Sequence, residues 1–291
     1  MTKLSNIKQY IASLKDIEDI MSAMNNISFI ELNKVTKYLE MQKKILVNLE
    51  DIGIDFFSFN QNILPENYKS NNNIYVLIGS ERGFCGNFNE KIISYWEDLI
   101  NTNLNKNIEI IVIGNKLADK ISDSHNINHV IKAPSFVEEI PSAINKLLDY
   151  LKNKAFNNLS GIMPIDWNVI FNEIKNNKIE VNSLNLIQNL FTLRSKVCPY
   201  KLEPKLNISV DDFLFEYLEQ YSLMLLHYMF YQSLMAESES RIEHLNNAKS
   251  LINKECDGLF NKMNLLRQEE ITEEIENILL SVPSFYDFNI D

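Results

Sequence analysis

Ile252-Asn-Lys-Glu-Cys256-Asp-Gly-Leu259-Phe-Asn-Lys-Met263-Asn-Leu-Leu266 is the stretch that decides how this chain folds. Its apolar residues recur at intervals of four, three, four and three, the seam of a coiled coil. The stripe reaches back through Ala248, Leu245 and Ile242. From about Asp211 to Leu280 the only glycine is Gly258 and there is no proline, so a single helix is predicted. At 1.5 Å per residue it would be a rod of roughly 100 Å. Its upstream half, Phe213 to Met235, is apolar almost all round (Leu214, Phe215, Leu218, Tyr221, Leu225, Tyr228, Met229, Phe230, Leu234) and should be buried by the rest of the chain. From Ala236 onward only the stripe remains, and a stripe needs a partner helix.

The partner lies at the other end of the sequence. Leu4, Ile7, Ile11, Leu14, Ile17, Met21, Met24 and Ile27 step by three and four, and Val35, Leu39, Ile45, Leu49 and Ile52 continue the pattern until Gly53, where a helix stop is expected. Fifty helical residues span about 75 Å. Two such helices pair most simply as an antiparallel coiled coil; the other reading makes both the edges of a large helical bundle.

Between them the period changes. Ile74 to Ile78 is a short apolar strand ending in Gly79-Ser-Glu-Arg-Gly83-Phe-Cys-Gly86-Asn-Phe-Asn89, and an amphipathic helix follows to about Leu104. Ile108 to Ile113 is a second strand, Lys116 to Ser122 a helix, Val130-Ile131 a third strand and Val137 to Lys154 a helix. Ile162 to Glu173 and Lys178 to Ile187 read as two strands around an Asn-Asn turn. The alternation predicts a parallel sheet with crossover helices. The fold class is therefore α/β, with a compact domain at 59–208 inserted between coiled-coil segments at 1–58 and 209–291.

Composition narrows the function. Of 291 residues, 45% are hydrophobic and 23% charged, an ordinary soluble balance. The net charge of −11 argues against a nucleic-acid partner. No apolar run reaches the roughly 18 residues of a membrane span; the nearest, Leu223 to Met235, is broken by His227, Gln232 and Ser233. Helical periodicity begins so early that no signal or transit peptide is expected. Cys85, Cys198 and Cys256 are too scattered for a disulfide framework or metal site. Asn, Ile and Lys are frequent, a bias better explained by a low-GC genome than by chemistry. His125 and His129 lie four apart beside Asp123 in a loop, and His227 and His244 have no partner at ligand spacing, so no metal is expected. The glycines at 79, 83 and 86 do not form G-x-G-x-x-G, and no G-K-[ST] follows, so no nucleotide cofactor is expected either. The acidic run Glu269 to Glu276 reads as a solvated helix face.

Several segments carry a family resemblance. Glu237-x-x-x-Arg241-Ile-x-x-Leu-x-x-Ala248 and then Asn264-Leu-Leu-Arg267-Gln268-Glu-Glu-Ile271-Thr272-Glu273 resemble the C-terminal helix of the gamma subunit of F-type ATP synthases, with its N-x-x-R-Q-x-x-I-T-x-E pattern. Ile11-x-Ser13 and Ser22-Ala23-Met24-x-x-Ile27-Ser28 resemble its N-terminal helix. Ser80-Glu-Arg-Gly83-Phe-Cys85-Gly86-x-Phe-Asn89 is similar to its S-D-R-G-L-C-G-x-F-N turn. Tyr200-Lys-Leu-Glu203-Pro204 resembles its Y-x-x-E-P, after which Ser209 or Asp211 would cap the last helix. The chain departs from the family at Lys15-Asp-Ile-Glu-Asp-Ile-Met-Ser, which replaces a basic surface, and in an aromatic tail from Pro283 to Asp291.

The resemblance implies a central shaft: an antiparallel coiled coil turning inside alpha and beta subunits, with a Rossmann-like foot that meets an epsilon subunit and the membrane ring. The chain itself would do no bond chemistry. It would sit peripherally on the cytoplasmic side of the membrane, with no direct insertion. The resemblance assigns stator contact to Arg267, Gln268 and Thr272, with Glu273 beside them and Ala23 and Met24 facing that region. Gly79, Ser80, Gly83, Cys85, Gly86 and Asn89 form the foot's structural turn. Two alternatives are a diverged, ATP-hydrolysing motor of mycoplasma type and a static coiled-coil tether.

Overall fold

The computed structural model describes residues 3–63, 73–102, 108–122, 126–157, 167–196, 202 and 204–281. The elements run α1 (Lys3–Phe59), β1 (Asn73–Ile78), α2 (Phe88–Thr102), β2 (Ile108–Ile113), α3 (Asn115–Ile121), β3 (His129–Ile131), a single 3-10 turn (Val137–Glu139), α4 (Ile140–Asn157), β4 (Trp167–Lys175), β5 (Lys178–Asn185), α5 (Leu186–Arg194) and α6 (Val210–Ser281). Asp123, His125, Cys198, Tyr200, Glu203 and the tail 283–291, singled out above, lie outside the described residues.

The five strands form one sheet in the order β3-β2-β1-β4-β5. β1 to β4 are parallel, and β5 returns antiparallel beside β4 through Asn176 and Asn177, both left-handed at φ 50 and 57. This is the predicted Asn-Asn turn: asparagine tolerates that conformation better than any other residue but glycine. Alternation along β1 sorts its side chains to two faces. Tyr75 and Leu77 meet Phe88, Ile92 and Trp96 of α2 and Leu117 and Ile121 of α3. Ile74, Val76 and Ile78 meet a larger core built from α4, α1 and α6, including Ile144, Leu147, Val35, Leu39, Tyr221, Met229 and Phe230. Covered on both faces, the inner strands read as continuous apolar runs.

Packing divides the chain into two compact units, Met1–Asn26 with Leu245–Asp291, and Ile27–His244. In the first, α1 and α6 are antiparallel partners: Tyr10 donates to Glu255 Oε1 at 2.9 Å and Asn25 donates to Asn246 Oδ1 at 2.8 Å. Lys15 lies over the Phe260 ring, 5.4 Å from its centroid. Ile11, Leu14, Met21, Leu245 and Cys256 are buried there. The predicted seam of α6 holds, since Ala248 and Ile252 between those anchors and Leu259, Met263 and Leu266 beyond them are all half-buried.

Other expectations need correction. α1 does not stop at Gly53 but runs six residues further, to Phe59. In the second unit a Cβ on Gly53 would lie 2.1 Å from Tyr217 Oη, so this glycine lets α6 approach rather than ending a helix. The apolar stripe of α1 is wider than any one neighbour covers: Ile17, Ile27, Ile45 and Ile52 are exposed, while the buried line runs through Leu14, Met21, Ser28, Val35 and Gln42. Phe215, expected inside, is 57% exposed. Conversely, burial of α6 continues past Ala236 through Glu237, Ser238, Ser240 and Arg241. α5 was not expected; Asn185 caps it by accepting from Gln188 N at 2.8 Å. Ser209 is the cap of α6, its hydroxyl accepting from Asp212 N at 3.1 Å.

Candidate functional site

Arg267, Gln268, Thr272 and Glu273 all lie exposed on the last third of α6. Thr272 donates back to the Gln268 carbonyl at 2.9 Å, the usual helical position for its hydroxyl, so its polar atom is used locally. Ala23 is exposed and Met24 half-buried on α1. The structure does not bring these two groups together. The contacts Asn25 to Asn246 and Tyr10 to Glu255 fix the antiparallel register, which sets Ala23 opposite Ala248. That is roughly 30 Å along the axis from Arg267 at the helical rise. Two separated surfaces are therefore on offer, one near the middle of α6 and one near its end.

The turn after β1 is a true constellation. Asn89 Oδ1 accepts from Ser80 N at 3.0 Å, and Asn89 Nδ2 donates to Ser80 Oγ at 2.8 Å. Cys85 Sγ donates weakly to the same hydroxyl at 3.4 Å. Burial pushes the Cys85 thiol up, with the Ser80 contact opposing it weakly, so this sulfur is a small apolar filler rather than a nucleophile. Gly86 holds φ +55, where a side chain would be strained. Phe84 adopts φ 61 without that excuse and is 54% exposed. Gly79 abuts Leu117 of α3, whereas Gly83 has open space around it.

Sequence reasoning missed what surrounds this turn. Glu81 reaches across the carboxyl end of the sheet, its Oε2 accepting from Asn115 N at 3.2 Å and from Ala133 N at 3.1 Å, and its Oε1 from Asn115 Nδ2 at 2.6 Å. Open α/β sheets hold ligands at this edge, often as an anion beneath a helix amino terminus. Here the chain's own carboxylate takes the amide donors. Arg82 stacks on the Phe136 ring, 4.7 Å from its centroid, joining the turn after β1 to the one after β3.

Both turns grip a long helix. Ser240 Oγ donates to Cys85 O at 2.7 Å, and Arg241 Nε donates to Gly83 O at 3.3 Å. The Arg241 guanidinium also pairs with Glu237, and both are buried. Burial raises the Glu237 carboxyl above its ordinary range, and Arg241 opposes that rise. On the other side, Glu31 Oε1 of α1 accepts from Val137 N at 2.6 Å, and Lys34 pairs with Glu138 at 3.1 Å. Burial likewise raises Glu31, opposed by the Val137 N–H. A Glu and an Arg four apart among the small residues Ala236, Ser238 and Ser240 was the sequence signal for the α6 grip. Nothing in the sequence pointed to Glu31 or Glu81.

A family model described as ATP synthase matches residues 3–283. The chain is 28% identical to the ATP synthase gamma chain of Clostridium botulinum (strain Langeland) over 95% of this chain and 96% of that one. It is 23% identical to the ATP synthase gamma chain of Rickettsia typhi over 96% and 98% of the two chains. Its fold is similar to a chain of the Euglena gracilis mitochondrial ATP synthase OSCP/F1/c-ring structure, with a TM-score of 0.63, 13% identity and 99% of each chain covered. It is also similar to a chain of the Tetrahymena thermophila mitochondrial ATP synthase central stalk and c-ring, with a TM-score of 0.58, 20% identity, 79% of this chain and 99% of that one.

Proposed function

We propose, given that this chain belongs to the ATP synthase family, that it is the gamma-type rotor shaft of an F-type ATP synthase, coupling rotation to ATP chemistry in a surrounding ring. The observation that carries this reading is the antiparallel pairing of α1 with α6 from opposite ends of a chain that folds an α/β body between them. A shaft must be stiff along its length, and two helices zipped through a shared seam resist bending more than either alone. The diverged ATP-hydrolysing motor and the static tether are not favoured, because the relatives and neighbours reported above are ATP synthase components.

The shaft performs no bond chemistry of its own. Glu81 filling the carboxyl edge of the sheet supports that reading, since a bound phosphate would have to displace it. Alpha and beta subunits form the surrounding ring, and a membrane ring and an epsilon-type subunit meet the α/β domain; the names of the related assemblies support the F1 and c-ring partners. No described helix is long and apolar enough to cross a membrane, in keeping with a peripheral position on the cytoplasmic side. By role the chain divides at 1–58, 59–208 and 209–291.

Within the ring, Arg267 and Gln268 are the stator catch, with Thr272 and Glu273 on the following turn. A guanidinium exposed on a helix can pair with carboxylates of one catalytic subunit at a time, so each site's affinity follows the face it meets. Ala23 and Met24 form a second contact further along the shaft. The test is co-expression with alpha and beta subunits: the chain should copurify at one copy per hexamer. Arg267→Ala with Gln268→Ala should then lower hexamer ATPase while the isolated chain unfolds at the same temperature, because both side chains are exposed. Unchanged turnover would remove the catch, and recovery of the chain alone would remove the rotor.

A further inference from the structure

The grips at the carboxyl edge of the sheet do more than hold the fold together: we propose that they form the torque joint between the long helices and the α/β domain. The proposal rests on the rotor reading above. A buried ion pair is weak support for stability, because desolvating two charges offsets most of their attraction. Direction comes instead from the two hydrogen bonds that leave the helix for the loop. Apolar burial scales with area and carries no preferred angle of its own, whereas a charge-assisted hydrogen bond is satisfied over a narrow range of geometry.

Ser240 and Arg241 are neighbours in sequence, so their side chains leave α6 about 100° apart. Both nevertheless reach one loop, at the carbonyls of Cys85 and Gly83. Turning α6 about its axis by one residue in either direction breaks both bonds, and the pair with Glu237, internal to α6, holds the Arg241 side chain in the position from which it reaches Gly83. The loop they hold is itself stiff, with Phe84 and Gly86 in the left-handed region and Ser80 and Asn89 bonded twice across its base. Load entering it passes through Glu81 and Arg82 to the turn after β3. There Val137 N donates to buried Glu31 of α1 at 2.6 Å. Each long helix is thus tied by directional bonds to loops that are tied to each other, which is what keeping two helices and a sheet at one angle under load requires.

The variant that separates this role from a merely structural one is Glu237→Met with Arg241→Met. Replacing a buried pair by apolar side chains of similar volume is often neutral for stability, but it abolishes both the pair and the bond to Gly83. The full complex would be reconstituted in sealed vesicles, and ATP hydrolysis compared with ATP-driven charge uptake read by a membrane-potential dye. The expected result is hydrolysis within about twofold of wild type, an unchanged unfolding midpoint and charge moved per ATP reduced by roughly threefold or more, with Ser240→Ala giving a smaller loss in the same direction. Charge moved per ATP at the wild-type level in the double variant would overturn the joint while leaving the rotor standing. A wild-type chain that assembles with no hexamer would overturn both.

Discussion

Replacing Gly53 by alanine asks a question to which the two views of this residue give opposite signs. If Gly53 were simply an unobstructed residue inside α1, alanine would stabilise the helix by about 1 kcal/mol, the intrinsic difference between the two residues. The structure makes it a point of contact instead. An added Cβ would lie 2.1 Å from Tyr217 Oη and 2.8 Å from Cζ, with Leu193 at 3.4 Å on the other side. The Tyr217 hydroxyl is not free to swing away without loss, because it donates to Leu49 O at 3.0 Å. Overpacking of this kind costs about 1–3 kcal/mol, and the displaced hydrogen bond about 1 kcal/mol more. Set against the gain in propensity, the net is a loss of about 1–3 kcal/mol. For a chain of this size that is a fall in the thermal midpoint of roughly 3–10 °C. Circular dichroism melting of the isolated chain measures it. The same substitution in a Tyr217→Phe background should cost less, since the nearest clashing atom is gone. A midpoint raised by Gly53→Ala, or an equal cost in both backgrounds, would refute the close approach of α1 and α6 at this level.

Two further outcomes follow from buried groups. Glu31 has a folded pKa raised above 4.5 by burial, so the folded state holds its proton to higher pH than the unfolded chain does. Its contribution is full below 4.5 and is lost as pH rises through the folded value. Glu31→Gln keeps an acceptor for Val137 N and removes the charge, so its stability relative to wild type should grow across that window; a constant difference in urea midpoints between pH 4 and pH 8 would contradict this. Cys85 is buried with its thiol pushed up, so in the native chain a maleimide should label it at least tenfold more slowly than in urea. Equal rates by mass spectrometry would show the turn to be open.

The sequence was most readable where one period ran long enough to leave a single interpretation. The seam from Ile252 to Leu266, the apolar runs of β1 and β2 and the paired asparagines each state a local preference that packing did not overrule. The stripe of α1 was misread in part because apolar residues cover a broader arc than α6 buries, so Ile17 and Ile45 looked like core and Ser28 and Gln42 did not. The site was legible only as far as its own loop. Ser80, Cys85, Gly86 and Asn89 sit within ten residues of one another, while Ser240, which bonds Cys85, lies 155 residues further along, and Glu31 holds the other turn at Val137, 106 residues from itself. Charged residues are counted as surface until something distant is shown to cover them, and a carboxylate such as Glu81 bonded to backbone amides carries no periodic signature at all.

The register that places Ala23 opposite Ala248 also sets Lys3 near the level of Gln268. Beyond that point the described part of α1 has run out, while α6 continues to Ser281, roughly 20 Å further at the helical rise. From Arg267 to Leu280 every residue of α6 is exposed, so this stretch offers a whole helical circumference to whatever surrounds it. Arg267 and Gln268 stand at its start, beside the last turn that the described part of α1 reaches.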